Sequence, residues 1–324
     1  MLNLKVCFIG LGSIGRRHVI NLKILCKKNN IELTIDALRR ENKSDCDELQ
    51  YIDTVYTDIK RLPCDYDVVF LTNPTQFHAD YILKLQNHAK HFFIEKPIAT
   101  PDTVNLLDKL EIKKDSVYYV ASPLLYHPVI RYIKKNVTLS SVRSVRCICS
   151  SYLPEWRPDT DYREFYSAKK ELGGGVSIDL IHEWDYLNYI FGMPLEIKSF
   201  IGRVSELEIS SDDIAVYIAR YQNMMIELHL DYFGRKIIRN MQLFTEKYNV
   251  IGGTNVTFTA IVLDEYTLLN DGIVIFKING QTIKDNNGKN IQAKVANGKA
   301  SIKYTFAYGI SAKNTTITAV YSNS

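Results

Sequence analysis

The chain's 324 residues are 46% apolar and 23% charged, ordinary proportions for a folded globular protein and enough length for two or three cores. Forty basic residues against 36 acidic ones leave a net charge of +4, too near balance to mark a binder of nucleic acid or of an anionic membrane. No apolar run is long enough to span a bilayer, and Met1–Lys5 lacks the pattern of an export signal; a cytoplasmic protein with neither nucleic-acid nor membrane partners is expected.

Lys5–Gly10 reads as a buried strand, followed by a glycine-rich turn and a helix reaching about Cys26. Further strands are expected at Leu33–Leu38, Asp67–Leu71, His91–Ile94 and Val117–Ala121, with helices at Ala79–Gln86 and Thr103–Leu110. Strands separated by helices argue for a parallel sheet built from right-handed crossovers. From Pro123 the pattern changes: a helix over Val129–Lys135, then Val142–Tyr152 alternating like an antiparallel strand with one exposed face. A helix opening at Gly173-Gly174-Gly175 and closing near Phe191-Gly192 precedes strands at Leu195–Ser205, Asp213–Tyr221 and Met224–Tyr232. Beyond Arg239 arginine disappears while Asn and Thr become frequent, and short β-rich runs recur at Val256–Val262, Gly272–Ile278, Ile291–Val295, Ala300–Tyr304 and Thr315–Tyr321. Asn279-Gly280 and Asn297-Gly298 are hairpin-type turns between them. The expected architecture is an α/β Rossmann domain over 1–122, an α+β domain with an open, mainly antiparallel sheet over 123–250, and a small all-β Ig-like sandwich over 253–324.

Gly10-Leu11-Gly12-Ser13-Ile14-Gly15 is a GxGxxG motif between a strand and a helix, the context that a dinucleotide requires. Gly10 permits the tight turn, Gly12 lets a pyrophosphate approach the backbone, and Gly15 lets the helix pack closely. Ser13 and Ile14 open the helix, whose free N–H groups face the phosphates. The second strand ends Asp36-Ala37-Leu38-Arg39-Arg40. Asp36 falls too early to meet a ribose hydroxyl, and Arg39, with Arg40 beside it, suits a 2′-phosphate, so NADP is favoured over NAD.

Cys7, Cys26, Cys46, Cys64, Cys147 and Cys149 form no CxxC pair, and Cys147-x-Cys149 on a strand would share a face without further ligands, so no metal site is expected. Reduced structural thiols are the reading.

Thr72-Asn73-Pro74, His78 and the run Lys90-His91-Phe92-Phe93-Ile94-Glu95-Lys96-Pro97 resemble the Gfo/Idh/MocA family, named for glucose-fructose oxidoreductase and inositol dehydrogenase. Its second hallmark, a glycine-rich turn opening a helix with Asp and His, is similar to Gly173-Gly174-Gly175-Val176-Ser177-Ile178-Asp179-Leu180-Ile181-His182. Tyr162-Arg163, Tyr166-Ser167-Ala168-Lys169-Lys170 and Glu171-Leu172 look like members found with surface-sugar biosynthesis. The resemblance implies an NAD(P)-dependent dehydrogenase or reductase moving a hydride between nicotinamide and a sugar, sugar acid or nucleotide-linked sugar. It implies that Thr72, Asn73, Pro74, His78, Glu95 and Lys96 lie at the cofactor. Lys96 would relay the hydroxyl proton, with His182 as partner and Asp179 orienting substrate or histidine. A homo-oligomer is compatible with it. Independently, oxidising an alcohol needs a base, and a lysine at a strand's carboxyl end sits at the cofactor crevice. On one continuous helix Asp179, His182, Glu183 and Tyr186 would share a face, with Ile178, Ile181, Trp184 and Leu187 turned to the core. Two departures from the family are Asp and His three apart rather than four, and Pro123 and Leu125 where Asn and Arg are usual. Trp156, Arg157, Tyr162 and Arg163 could hold a carboxylate or phosphate on the sugar.

The resemblance covers roughly 1–245. Residues 253–324 instead resemble the Ig-like repeats of archaeal and bacterial adhesin-like surface proteins, in Phe276-Lys277-Ile278-Asn279-Gly280 and Thr316-Ile317-Thr318-Ala319-Val320-Tyr321. The expectation is a truncated oxidoreductase joined to one such module. Besides an active enzyme, a catalytically impaired cofactor-binding fusion protein and a surface adhesion module are the alternatives.

Overall fold

The structure, a computed structural model, describes residues 2–40, 47–245, 255–264, 267–306 and 315–322. Cys46 lies outside them.

Six strands form a parallel sheet: β1 (Leu2–Ile9), β2 (Ile31–Leu38), β3 (Thr54–Tyr56), β4 (Tyr66–Leu71), β5 (Ala89–Ile94) and β6 (Tyr118–Val120), in the order β3-β2-β1-β4-β5-β6. The ladders are parallel throughout. The order reverses between β1 and β4, the switch point outside which such sheets bind ligands. Helix α1 (Ser13–Lys28) follows β1, and α2 (His78–Leu85) joins β4 to β5. One core collects Ile9, Val69, Leu71, Ile82, Leu85, Phe92 and Ile94, and another Val6, Phe8, Val19, Ile35 and Ala37. Where a helix is expected over Thr103–Leu110, the chain forms a 3-10 turn at Val104–Lys109, entered through Thr103 with no side-chain cap. The short β3 carries little strand signal in sequence, since only Val55 of its three residues is aliphatic.

After β6 come helix α3 (Pro128–Asn136) and strand β7 (Val142–Tyr152). The second sheet adds β8 (Glu196–Gly202), β9 (Ile214–Arg220), β10 (Met225–Asp231) and β11 (Phe233–Thr245), in the order β11-β7-β10-β9-β8. β8, β9 and β10 pair antiparallel, but β7 runs parallel to β10, with Ser144 opposite Met225 and Ser150 opposite Asp231, against the antiparallel expectation. Alternation within a strand reports which face is buried, not the direction of its neighbour. β11 was not foreseen. Asp231 Oδ1 accepts the N–H groups of Phe233 and Gly234, at 3.2 and 2.8 Å, so one side chain turns the strand without a loop that the sequence would announce.

The helix expected from Gly173 to Phe191 is two: α4 (Val176–Asp179) and α5 (His182–Phe191), broken at Leu180. Helix α5 buries Glu183, Trp184, Tyr186, Leu187 and Ile190. Trp184 meets Tyr217 of β9 edge to face at 5.3 Å, and the Tyr186 hydroxyl lies 2.8 Å from Cys147 Sγ on β7.

The chain divides into two compact units, Met1–Leu124 with Arg143–Phe244, and Leu125–Val142 with Thr245–Ser324. The division differs from the three expected segments, since 125–142 groups with the tail. In the second unit β12 (Asn255–Ile261) pairs with β18 (Lys299–Thr305). β13 (Leu263–Asp264) and β14 (Thr267–Leu268) pair with each other, while β15 (Ile273–Ile278) pairs with β16 (Gln281–Thr282), β17 (Gln292–Lys294) and β19 (Ile317–Ser322). Val274, Phe276 and Ala293 from the β15 sheet share one cluster with Ala300 and Ile302 of β18. Asn279 and Gly280, at φ 50° and 81°, make the two-residue hairpin turn that joins β15 to β16. No helix of the described residues is long and apolar enough to cross a membrane.

Candidate active site

The first half of the site is the turn after β1. Gly10 has φ 90° and donates its N–H to Leu38 O at 3.0 Å. A Cβ on Gly15 would lie 2.6 Å from Gly10 O and 2.8 Å from Thr72 Oγ1, so only glycine lets α1 approach this closely. Thr72, just past β4, fastens the turn by donating to Gly10 O at 2.7 Å. A Cβ on Gly12 would meet nothing within 4 Å among the described residues, which leaves that backbone open to a ligand. No side chain caps the N-terminus at Ser13, and no acidic residue occupies its first turn, so its N–H groups suit an anion. The Asn73 side-chain Oδ1 and Nδ2 are buried and neither is hydrogen-bonded among the described residues, a donor and an acceptor left for a ligand. These features fit a dinucleotide.

Around this turn, His78 sits between two carbonyl groups, with Nδ1 2.8 Å from Pro97 O and Nε2 2.8 Å from Asn73 O, so the single N–H of the neutral ring donates to one of the loops after β4 and β5 while packing against the other. Burial holds its imidazole below the ordinary value. Glu95 Oε1 lies 2.6 Å from His18 Nε2 on α1. Asp36 is buried and accepts the Tyr66 hydroxyl at 2.7 Å, which turns it inward. Arg39 is half-buried, its N–H bound to Tyr56 O, and Arg40 is exposed. Arg157, which could hold a carboxylate or phosphate on the sugar, places Nη2 3.1 Å from Ser13 Oγ on the phosphate turn. Its companions point elsewhere: Arg163 pairs with Asp161 and Glu208, Trp156 Nε1 donates to Ser151 Oγ, and the Tyr162 hydroxyl accepts from Glu208 N.

The second half lies beyond the carboxyl end of β5. Lys96 Nζ donates to the Asp179 backbone oxygen at 2.6 Å and to its Oδ1 at 3.0 Å. Asp179 also accepts the hydroxyls of Tyr166, Ser167 (2.7 Å) and Tyr232 (3.3 Å). Burial pushes its carboxyl up, but Lys96, Ser167 and Tyr166 outweigh that and hold it below the usual carboxylate range. Burial, and then the Asp179 charge, push the Tyr166 phenol well above its ordinary value.

The shared face expected for Asp179, His182, Glu183 and Tyr186 does not form, because the break at Leu180 rotates α5 relative to α4. Asp179 turns to Lys96. His182 places Nδ1 3.8 Å from Asp185 Oδ2 with no hydrogen-bond partner among the described residues, and Ser122 Oγ holds the same Asp185 oxygen at 3.0 Å. Glu183 is fully buried and pairs with Arg239 Nε of β11 at 2.7 Å, while Tyr186 meets Cys147. Cys147 and Cys149 do share the inner face of β7, and burial pushes both thiols up to about 12, so they remain thiols at neutral pH. The structure thus brings Lys96 and Asp179 together, adds Tyr166, Ser167, Tyr232 and Asp185, and leaves Glu183 to the core. Tyr166 and Ser167 stood out in the sequence only as a likeness to one subgroup; Tyr232 and Asp185 carried no signal.

Comparison with known proteins agrees with this geometry. Residues 4–122 match the model of an oxidoreductase family with an NAD-binding Rossmann fold, and residues 131–239 match the GFO/IDH/MocA C-terminal domain. An uncharacterized oxidoreductase of Bacillus subtilis, YrbE, is 26% identical over 224 residues, which span 66% of this chain and 63% of the relative's own length. Myo-inositol 2-dehydrogenase of Thermotoga maritima is 23% identical over 274 residues, 81% of this chain and 78% of that protein. Among solved structures, a levoglucosan dehydrogenase in complex with NADH shares the fold, with a TM-score of 0.63, 17% identity, and coverage of 75% of this chain and 71% of that one. With matches to both family domains in tandem, together covering well over half of its length, the chain belongs to the Gfo/Idh/MocA family of oxidoreductases.

Proposed function

We propose that the chain is an NAD(P)-dependent oxidoreductase acting on a CH–OH group of a sugar, sugar acid or nucleotide-linked sugar. The observation that carries this reading is Lys96, ion-paired to a buried Asp179 beside the dinucleotide turn. When bound, the nicotinamide supplies the hydride acceptor or donor. Gly10, Gly12, Ser13, Ile14, Gly15, Thr72, Asn73 and Pro74 hold the dinucleotide, and His78 and Glu95 brace the loops around it.

The chain's own residues manage the substrate proton. Asp179 is a poor acceptor, since each carboxylate oxygen already takes two donors. That leaves Lys96 Nζ and the His182 imidazole, whose side chains keep 15% and 17% of their exposure, as the groups offered to a substrate hydroxyl, with the buried His182 Nδ1 turned toward Asp185. Asp185, held by Ser122, orients His182. The names of the dehydrogenase relatives support the polyol or sugar class.

Arg39 and Arg40 favour NADP by charge, whereas the levoglucosan dehydrogenase is seen with NADH. Titration with NADPH and NADH, followed by nicotinamide fluorescence, tests both points. Micromolar binding of either supports the reading, tighter binding of NADPH supports Arg39, and binding of neither sinks it. Arg157→Ala is expected to weaken cofactor binding roughly tenfold, since it removes a charged donor at the phosphate turn. An unchanged Kd would place Arg157 outside the cofactor site. Cytoplasmic location remains part of the proposal. For residues 255–322 the sandwich reading draws support from two sheets sharing one core, and the adhesin likeness stays a proposal from sequence.

A further inference from the structure

Asp179 receives four side-chain donors from separate stretches of chain. Lys96 comes from the end of β5, Tyr166 and Ser167 precede the triple glycine, and Tyr232 is the single residue between β10 and β11. Tyr232 is fully buried, with Trp156 packed edge-on at 5.4 Å. Phenylalanine would fill either tyrosine position with the same ring and no polar atom to satisfy, yet all three hydroxyls converge on one carboxylate. A buried carboxylate facing lysine alone would leave lone pairs without donors, at a cost in free energy and in geometry.

We propose that Tyr166, Ser167 and Tyr232 are positioning residues whose hydroxyls lock the Asp179 carboxylate, so that Asp179 fixes Lys96 Nζ in place for the substrate oxygen. Only the role given to Lys96 rests on the oxidoreductase reading; the lock itself does not. The charged groups around it are Lys96, Glu95, Arg157 and Asp212. Because Asp179 titrates below an unfolded aspartate, its stabilising contribution is complete above the unfolded pKa and is lost as pH falls through the folded one. Deleting a hydroxyl donor raises the folded value and moves that loss to higher pH.

The test is NMR of the full chain labelled with 13Cγ-aspartate, with the Asp179 signal assigned by its disappearance in Asp179→Asn. Tyr166→Phe and Ser167→Ala are each expected to raise the Asp179 midpoint by about one pH unit. Tyr232→Phe, which removes the longer bond, should raise it less. Unmoved midpoints in both Tyr166→Phe and Ser167→Ala would overturn the proposal. Should Tyr166→Phe fail to fold, Ser167→Ala, which deletes one oxygen, decides alone. NADH and NADPH titration of the same samples separates the two readings. Wild-type protein that binds neither cofactor sinks the oxidoreductase reading while the midpoints still decide the lock.

Discussion

Lys96→Ala is expected to lower turnover of a sugar substrate by about 10²–10⁴-fold, the usual worth of a positioned acid–base group, while cofactor affinity stays within a few-fold. The ammonium makes its hydrogen bonds to Asp179 rather than to the phosphate turn, so its loss removes chemistry before it removes binding. Stripping the lysine from a buried ion pair would ordinarily strand a charge at a cost of about 3–5 kcal/mol. Here the stranded carboxylate keeps the hydroxyls of Tyr166, Ser167 and Tyr232, so the melting temperature should fall less than that figure implies. Single-turnover kinetics and fluorescence titration on the same variant make the comparison. Equal loss of turnover and of cofactor binding would assign Lys96 to binding instead.

The largest stability effect is expected at Arg239→Met. Glu183 is 0% exposed, and Arg239 Nε reaches its Oε1 at 2.7 Å, while Oε2 has no hydrogen-bond partner among the described residues. Losing the guanidinium leaves a carboxylate enclosed between α5 and the second sheet. The arginine is partly exposed, but the charge left behind is the wholly buried one, so solvent screens little of the penalty. The expected cost is about 3–5 kcal/mol, or roughly 10 °C in Tm. Adding Glu183→Gln should recover much of the loss, because the charge itself then disappears. A single variant that melts like wild type, or a double variant no better than the single, would contradict this.

Much of the Rossmann half was legible because each feature there is local. Gly10, Gly12 and Gly15 sit between an apolar strand and a helix, and Glu95-Lys96-Pro97 directly follows the apolar strand β5. The second half was less legible because its decisive contacts join distant stretches. Spacing within 179–186 assumed one unbroken helix, and nothing local announced the break at Leu180 that separates Asp179 from Glu183. Tyr232 reaches Asp179 across 53 positions, and Arg157 reaches Ser13 across 144, contacts that no pattern along the chain records. Asp36 shows the converse. Its place before Leu38 already ruled it out as a ribose ligand, and its bond to Tyr66 gives the reason it is there.

The parallel pairing of β7 with β10 also sets an order of assembly. Ser144 must find Met225, so the middle of the second sheet cannot zip up as the chain leaves the ribosome. β8, β9 and β10 can meet in sequence by antiparallel pairing, each strand close behind the last. β7 was synthesised earlier, and its inner row of Val145, Cys147 and Cys149 must wait, uncovered, for them and for α5. Closing so long a loop costs chain entropy before its contacts can repay it. Until residue 231 has emerged, the nascent chain carries an unpaired apolar strand, and that interval is when a chaperone has most to protect.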